Sequence, residues 1–254
     1  TTLINMAVGS GLILLGRGAE NRVTRRDGYC IVAFTWLLFT GFGMLPFYIS
    51  GSIPSVADAF FETMSGFTTT GATILDDIES LSHGMLFWRS FSQWIGGLGI
   101  VFFTIAVLPI FGVGNQVLFS AEATGVTHDK IHPKISVMAK WLWTVYLMLT
   151  LAEMVLLLIG GMDLFDAACH AFSTTATGGY STKQASVAYW NSPFIEYVIA
   201  IFMILSGINF SLYFMCMKGR CGQLFKDGEL RLYLISIGAV TLIITGDLYW
   251  YNNY

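Results

Sequence analysis

Charge is scarce in this 254-residue chain, with only 11% of residues charged, against about 25% in soluble domains. Because 55% of the residues are hydrophobic, that scarcity excludes an ordinary soluble domain and points to an integral membrane protein. A basic excess is lacking too. The formal net charge is -3 and no Lys/Arg-rich arm occurs, so nothing supplies the phosphate attraction that nucleic-acid binding requires. Cysteine is limited to Cys30, Cys169, Cys216 and Cys221, none in CxxC spacing. That argues against a disulfide framework or a zinc site and for buried, inert thiols. No GxSxG or HExxH occurs, the spacings by which many hydrolases place their catalytic groups. No charged n-region or small-residue cleavage pattern precedes the first apolar run, and the N-terminus, which opens on Thr1, reads as cut.

What the chain has instead is a series of apolar runs. Tyr29 to Ile49, Phe87 to Leu108, Trp141 to Ile159, Phe194 to Met217 and Leu232 to Tyr249 approach or exceed the roughly 20 residues that cross about 30 Å of hydrocarbon. Leu3 to Leu15 forms the end of an earlier one. Eleven of the 13 basic residues fall in alternate connections, namely Arg17, Arg22, Arg25 and Arg26, then Lys130, Lys134 and Lys140, then Lys218, Arg220, Lys226 and Arg231. Only Arg89 and Lys183 fall on the other side. The positive-inside rule therefore predicts one orientation, with those connections cytoplasmic.

Between the spans, on the outward side, lie two related stretches. Pro54 to Phe67 predicts a short re-entrant helix that runs into Thr68-Thr69-Thr70-Gly71-Ala72-Thr73. Asp163 to Thr174 predicts a second one, running into Thr175-Ala176-Thr177-Gly178-Gly179-Tyr180. Thr70-Gly71 falls on Thr177-Gly178 at an offset of 107. A single Thr-Thr-Thr-Gly would be an ordinary turn; two copies between spans predict a pore. The fold class is thus all-α integral membrane, with about two and a half units of span, pore helix, filter loop and span. Its parts are residues 1–28, the end of a preceding span and a cytoplasmic loop; 29–110, a first pore repeat; 111–139, a cytoplasmic connection; 140–217, a second pore repeat; and 218–254, a loop and the first helix of a truncated third repeat.

Turns of this composition suit a cation. Backbone carbonyls can replace an ion's hydration shell without burying full charges, and glycine at 71 and 178 permits backbone angles that a Cβ would resist. The re-entrant helices end at the turns, so their C-terminal dipoles favour positive charge there. Neither pore helix nor either turn holds a lysine or arginine, whereas Asp58, Glu62, Asp76, Asp77, Glu79, Asp163 and Asp166 cluster around the outer ends. Potassium and sodium both remain open on this reading.

Phe61-Glu62-Thr63-Met64-Ser65-Gly66-Phe67-Thr68-Thr69-Thr70-Gly71-Ala72-Thr73, Trp94-Ile95-Gly96-Gly97-Leu98-Gly99 and His170 to Thr182 resemble the Trk/Ktr/HKT superfamily of potassium transporters, and its Trk membrane subunits most. The resemblance covers nearly the whole chain. It implies four such repeats around a single pore, with one filter glycine in each, here Gly71 and Gly178. It implies potassium uptake across a bacterial cytoplasmic membrane, with filter carbonyls from Thr69, Thr70, Ala176 and Thr177 and with potassium as transported ion rather than cofactor. It implies as partners a second copy of the chain and a cytosolic nucleotide-binding regulatory subunit, docking on loops 130–140 and 218–231. It implies no enzymatic reaction.

Other polar residues stand out against the apolar background. Glu62 is expected to support its loop by accepting backbone N–H bonds. Glu153, inside a span, suits an ion or proton path or a structural hydrogen bond. His170 beside Cys169 has no second metal ligand at helical spacing and reads as a hydrogen-bonding residue. Gly96, Gly97 and Gly99 can line a pore or admit a neighbouring helix, and Asn209 and Ser211 can face a wet cavity or another helix. Two rival functions follow from the same residues. One is an intramembrane hydrolase using Glu153, His170 or a threonine hydroxyl; the other is a secondary transporter with broken helices that bind an organic solute, although helix N-termini usually meet the substrate there.

Overall fold

The computed structural model of the chain describes residues 1–16, 25–107, 135–217, 222 and 227–252. Among these every regular element is helical. In chain order they are α1 (Thr2–Gly16), α2 (Arg25–Gly43), α3 (Leu45–Ile49), α4 (Val56–Phe67), α5 (His83–Val107), α6 (Ile135–Ile159), α7 (Leu164–Thr175), a 3-10 turn (Ser186–Trp190), α8 (Pro193–Ser206), α9 (Phe210–Met217) and α10 (Gly228–Asn252). Lys140–Ile159 and Gly228–Tyr251 are long and apolar enough to cross a membrane, and shorter apolar helices run through Leu3–Gly16, Ala33–Ile49 and Pro193–Ser206. Most of the basic residues assigned to cytoplasmic connections, and the 111–134 part of the expected connection, lie outside the described residues.

Two expected single spans are broken. The first bends at Met44, between α2 and α3, because Pro46 cannot donate to the preceding turn and its ring crowds the carbonyl four residues back. The span expected over Phe194 to Met217 stops at Ser206 and resumes at Phe210. There the Tyr213 hydroxyl donates to the Leu205 carbonyl at 2.6 Å and Tyr233 of α10 donates to the Ile204 carbonyl at 3.2 Å, satisfying carbonyls near the break. Gly207 makes room, since a Cβ there would run into the Tyr233 ring oxygen. Asn209 sits at this break and is half-buried; the side chain of Ser211 lies outside what is described.

The short helices are built alike. Ser55 caps α4 by accepting from the Asp58 N–H at 3.4 Å, and Asp163 caps α7 by accepting from Phe165 and Asp166 N–H at 3.2 and 3.4 Å. Each helix has 12 residues and an aspartate in its first turn, Asp58 and Asp166, where a carboxylate meets the positive end of the helix. Around α7 the packing is apolar. Leu157, Met162, Ala167, Ile195, Val198, Ile199 and Phe202 form one buried cluster, while Phe47, Ile53 and Ala59 hold α4. Rings of Phe91, Trp94 and Phe172 stack within 5.5 to 5.7 Å of one another, joining α5 to α7.

The thiol expectation needs correction. Cys169 is buried and free, Cys30 is free but exposed, and Cys216 is disulfide-bonded.

Candidate functional site: two threonine turns on one cavity

The chain leaves α4 and α7 by the same path. Thr69 N–H donates to Gly66 and Thr70 N–H to Ser65, at 3.0 and 2.9 Å; Thr177 N–H donates to Thr174 and Gly178 N–H to Ser173, at 2.9 and 2.8 Å. Thr69 and Thr177 then take φ of 53° and 55°, and Gly71 and Gly179 take 76° and 92°. A β-branched residue in the left-handed region is uncommon and persists only where its surroundings enforce it. Every one of these correspondences is a shift of 108 residues, so the offset of 107 expected from the Thr-Gly pairs is overturned. Gly71 matches Gly179, Thr70 matches Gly178, and Thr68 matches Ala176. The extra glycine of the second turn misled the pairing, because hydrogen bonding counts residues from the helix end, not from the first glycine.

Gly71 and Gly178 are nonetheless neighbours. A Cβ on Gly71 would strike the Gly178 carbonyl oxygen, and one on Gly178 would strike the Gln93 carboxamide. Gly178 is required for close approach, not for a left-handed angle. On their inner side the two turns share a cavity of about 620 Å³, lined by Thr68, Thr69, Ala176 and Thr177, with Gly96 and Gly97 beneath and Trp36, Leu37 and Phe67 in its apolar wall. Gly96 and Gly97 combine two positions. They line the cavity, and a Cβ on either would collide, with Phe67 backbone in one case and with Tyr146 and Ala176 in the other.

Behind the turns lies a buried polar frame. Glu62 Oε1 and Oε2 each accept from the Thr73 hydroxyl at 3.0 Å, and Oε2 accepts the Ile74 N–H at 3.0 Å. The expected support role for Glu62 holds, so it is not a mouth charge. Its partner is Arg89, whose Nε donates to Oε1 at 2.7 Å and whose Nη1 donates to the Ser181 carbonyl at 2.9 Å. Arg89 is 2% exposed, which corrects its placement among outward-facing basic residues. The signal available in the sequence was its position: an arginine two residues into an apolar span requires a partner, and Glu62 was the acid at hand. Removing one member of such a pair costs about 3–5 kcal/mol.

The second unit repeats the frame with different chemistry. His170 stands 108 residues after Glu62 and bonds Ser181 Oγ at 3.0 Å, as Glu62 bonds Thr73; its other ring nitrogen meets the Asp166 carbonyl at 2.8 Å. Asp166 accepts from Thr182 at 2.7 Å and lies 3.9 Å from Lys183 Nζ, so it too is withdrawn from the outer mouth. Gln93, missed in the sequence, accepts from Ser173 at 2.7 Å and from the Tyr180 N–H at 3.2 Å. The Tyr180 hydroxyl reaches the Glu62 and Ala72 carbonyls at 2.9 and 3.2 Å. Tyr180→Phe is therefore expected to cost about 0.5–1.5 kcal/mol, read as a lower unfolding temperature of the detergent-solubilised protein; an unchanged temperature would mean that the hydroxyl supports nothing.

Glu153 is fully buried. Thr175 donates to its Oε2 across a long 3.5 Å, and its Oε1 has no partner among the described residues. Glu153 is not among the residues that line the cavity, and it shares no hydrogen-bond partner with His170 among the described residues. No cluster of three metal-ligating side chains occurs among the described residues.

Two short helices end at one cavity, and the class comes from comparison: the family model TrkH, described as a cation transport protein, matches residues 1–245. The chain belongs to the TrkH family. It is 41% identical to the Trk system potassium uptake protein TrkH of Escherichia coli K12 over 256 residues, covering 100% of this chain and 53% of that protein. It is 35% identical to the Trk system potassium uptake protein TrkG of the same organism, covering 99% of this chain and 52% of that one. The crystal structure of the potassium transporter TrkH from Vibrio parahaemolyticus superposes with a TM-score of 0.77 at 36% identity, over 94% of this chain and 48% of that one. The chain thus spans about half the length of the relatives it matches.

Proposed function

We propose that this chain contributes two of the filter segments of a potassium-uptake transporter in a bacterial cytoplasmic membrane. The observation that carries the reading is the convergence of two identical helix–turn geometries on one cavity. On this reading the carbonyls of Thr69, Thr70 and Gly71 in the first turn and of Ala176, Thr177 and Gly178 in the second, with Gly179 as the structural match of Gly71, replace an ion's water; of these residues Thr69, Ala176 and Thr177 line the cavity. The left-handed Thr69 and Thr177 are the points where the carbonyl direction turns. The C-terminal dipoles of α4 and α7 add negative potential at the cavity, and the exposed Asp76, Asp77 and Glu79 above it concentrate cations. Potassium, the ion in the names of the relatives, is the cargo.

Membrane insertion in repeated pore units, with the boundaries 29–110 and 140–217, belongs to the same proposal. It is supported by apolar side chains that stay exposed on α10, among them Leu232, Ile235, Leu242 and Ile243. Pairing with a second copy and with a cytosolic nucleotide-binding subunit rests on the family alone.

Rubidium and sodium uptake into vesicles carrying the full-length protein tests the reading. Rubidium is expected to enter selectively, and Gly178→Asp, which sets a side chain against Gln93 and a charge beside the turn, is expected to erase that preference with the protein still in the membrane. Equal entry of both ions in the wild type, or indifference to the substitution, would refute it.

A further inference from the structure

We propose that Arg89 is a specificity-determining residue that holds the two threonine turns at a fixed separation, without touching the ion. The inference rests on the filter reading above and adds a device to it. One guanidinium joins both units: Nε binds Glu62 of the first pore helix, Nη1 binds the Ser181 carbonyl just beyond the second turn, and its central carbon lies 3.6 Å from the centre of the Tyr180 ring. Tyr180 closes the circuit by donating back to the first unit at Glu62 and Ala72. Through Glu62 the frame extends to Thr73 and Ile74, two and three residues beyond Gly71. Among the described residues, another charged link between the two units is Glu79, farther along the chain from the turns, whose carboxylate accepts the Gln184 N–H at 3.3 Å.

The arrangement is one-sided. His170 fills Glu62's place in the second unit, and the ion pairs among the described residues are Arg89–Glu62 and Lys183–Asp166, so the second frame has no arginine of its own. One cation serves two turns, and arginine's rigid fork holds a carboxylate and a carbonyl on different elements at a fixed separation, which a flexible lysine stem does not. A buried positive charge behind a cation path also carries an electrostatic liability, which Glu62 cancels. Charge and geometry can therefore be separated by experiment.

Rubidium and sodium uptake would be measured for Glu62→Gln, Arg89→Lys, Arg89→Gln and the double Glu62→Gln/Arg89→Gln variant of the full-length protein, each normalised to protein in the membrane. Glu62→Gln, which leaves the cation unpaired, is expected to slow rubidium entry about tenfold, the scale of one poorly screened charge near a low-dielectric site. The double variant regains rate relative to Glu62→Gln, because neutrality is restored, and its effects are strongly non-additive; its rubidium preference stays lost, because the strut is gone. Arg89→Lys keeps the charge and loses the fork, so its rate holds while selectivity falls. If Arg89→Gln does not accumulate, Arg89→Lys and the double variant carry the test. Wild-type selectivity in Arg89→Lys, or a double variant no faster than Glu62→Gln, overturns the inference. Gly178→Asp separates the two claims: selectivity lost there but intact in all Arg89 variants leaves the filter standing and removes the strut, whereas indifference everywhere removes both.

Discussion

Gly71→Ala is expected to abolish selective rubidium uptake while leaving the protein in the membrane. The position is exclusive to glycine for two independent reasons. Its φ of 76° costs an L-residue about 1–2 kcal/mol, and a Cβ would meet the Gly178 carbonyl oxygen, an overpacking that typically adds about 1–3 kcal/mol. Neither the α4 cap nor the apolar contacts of Phe47, Ile53 and Ala59 depend on that residue, so the strain is relieved locally, by moving one turn off the other. The rubidium-to-sodium ratio should fall at least about tenfold, since a displacement of about 1 Å in a preorganised site has effects of that order or larger. Gly51 provides the control. Its φ is 73° but nothing lies within 4 Å of its would-be Cβ, so Gly51→Ala meets the angular cost alone and should leave selectivity unchanged. Equal behaviour of the two variants would show that turn-to-turn contact is irrelevant to conduction.

Gly96→Leu should destabilise the fold by overpacking α5 against the first short helix. A Cβ there would sit 2.7 Å from the Phe67 carbonyl carbon, at the end of the first pore helix, where backbone cannot yield without shifting Thr68. Overpacking of about 1–3 kcal/mol is the minimum, and each kcal/mol lowers the midpoint of a chain of this size by about 2–4 °C. Thermal unfolding in detergent, and the amount recovered from membranes, would record it. Gly99, three residues on, has nothing within 4 Å of its would-be Cβ, so Gly99→Leu should be nearly silent. A protein that tolerated both would not have α5 packed against the pore helix as the structure has it.

Much of this architecture was legible in the residues. Apolar runs and proline and glycine breaks locate the helices to within a few residues, because those signals act within one or two turns of chain. The two threonine turns were visible for the same reason, and so was the support role of Glu62, the acid one helical turn before Gly66. The register between the turns was not. Pairing the first glycine with the first glycine gave 107, whereas the hydrogen bonds from Thr69 and Thr177 back to their helices set 108. Nor was the interruption at Gly207 legible, since it depends on Tyr213 and Tyr233 reaching the carbonyls before the break.

The sequence by itself determined the helical class, the twofold occurrence of a short helix running into a threonine turn and the residue types in those turns. These follow from composition and local backbone preference, which need no knowledge of distant contacts. Only the tertiary structure decided what each polar residue faces. Arg89, read along the chain as one of two outward basic residues, is the buried link between the turns; Gln93 supports the second turn; Asp166 and Glu62 are spent on internal partners. Glu62 and Arg89 are separated by 27 residues, and Arg89 and Ser181 by 92. Such pairings are selected by the cost of burying an unmatched charge, and that cost arises only when the helices have come together.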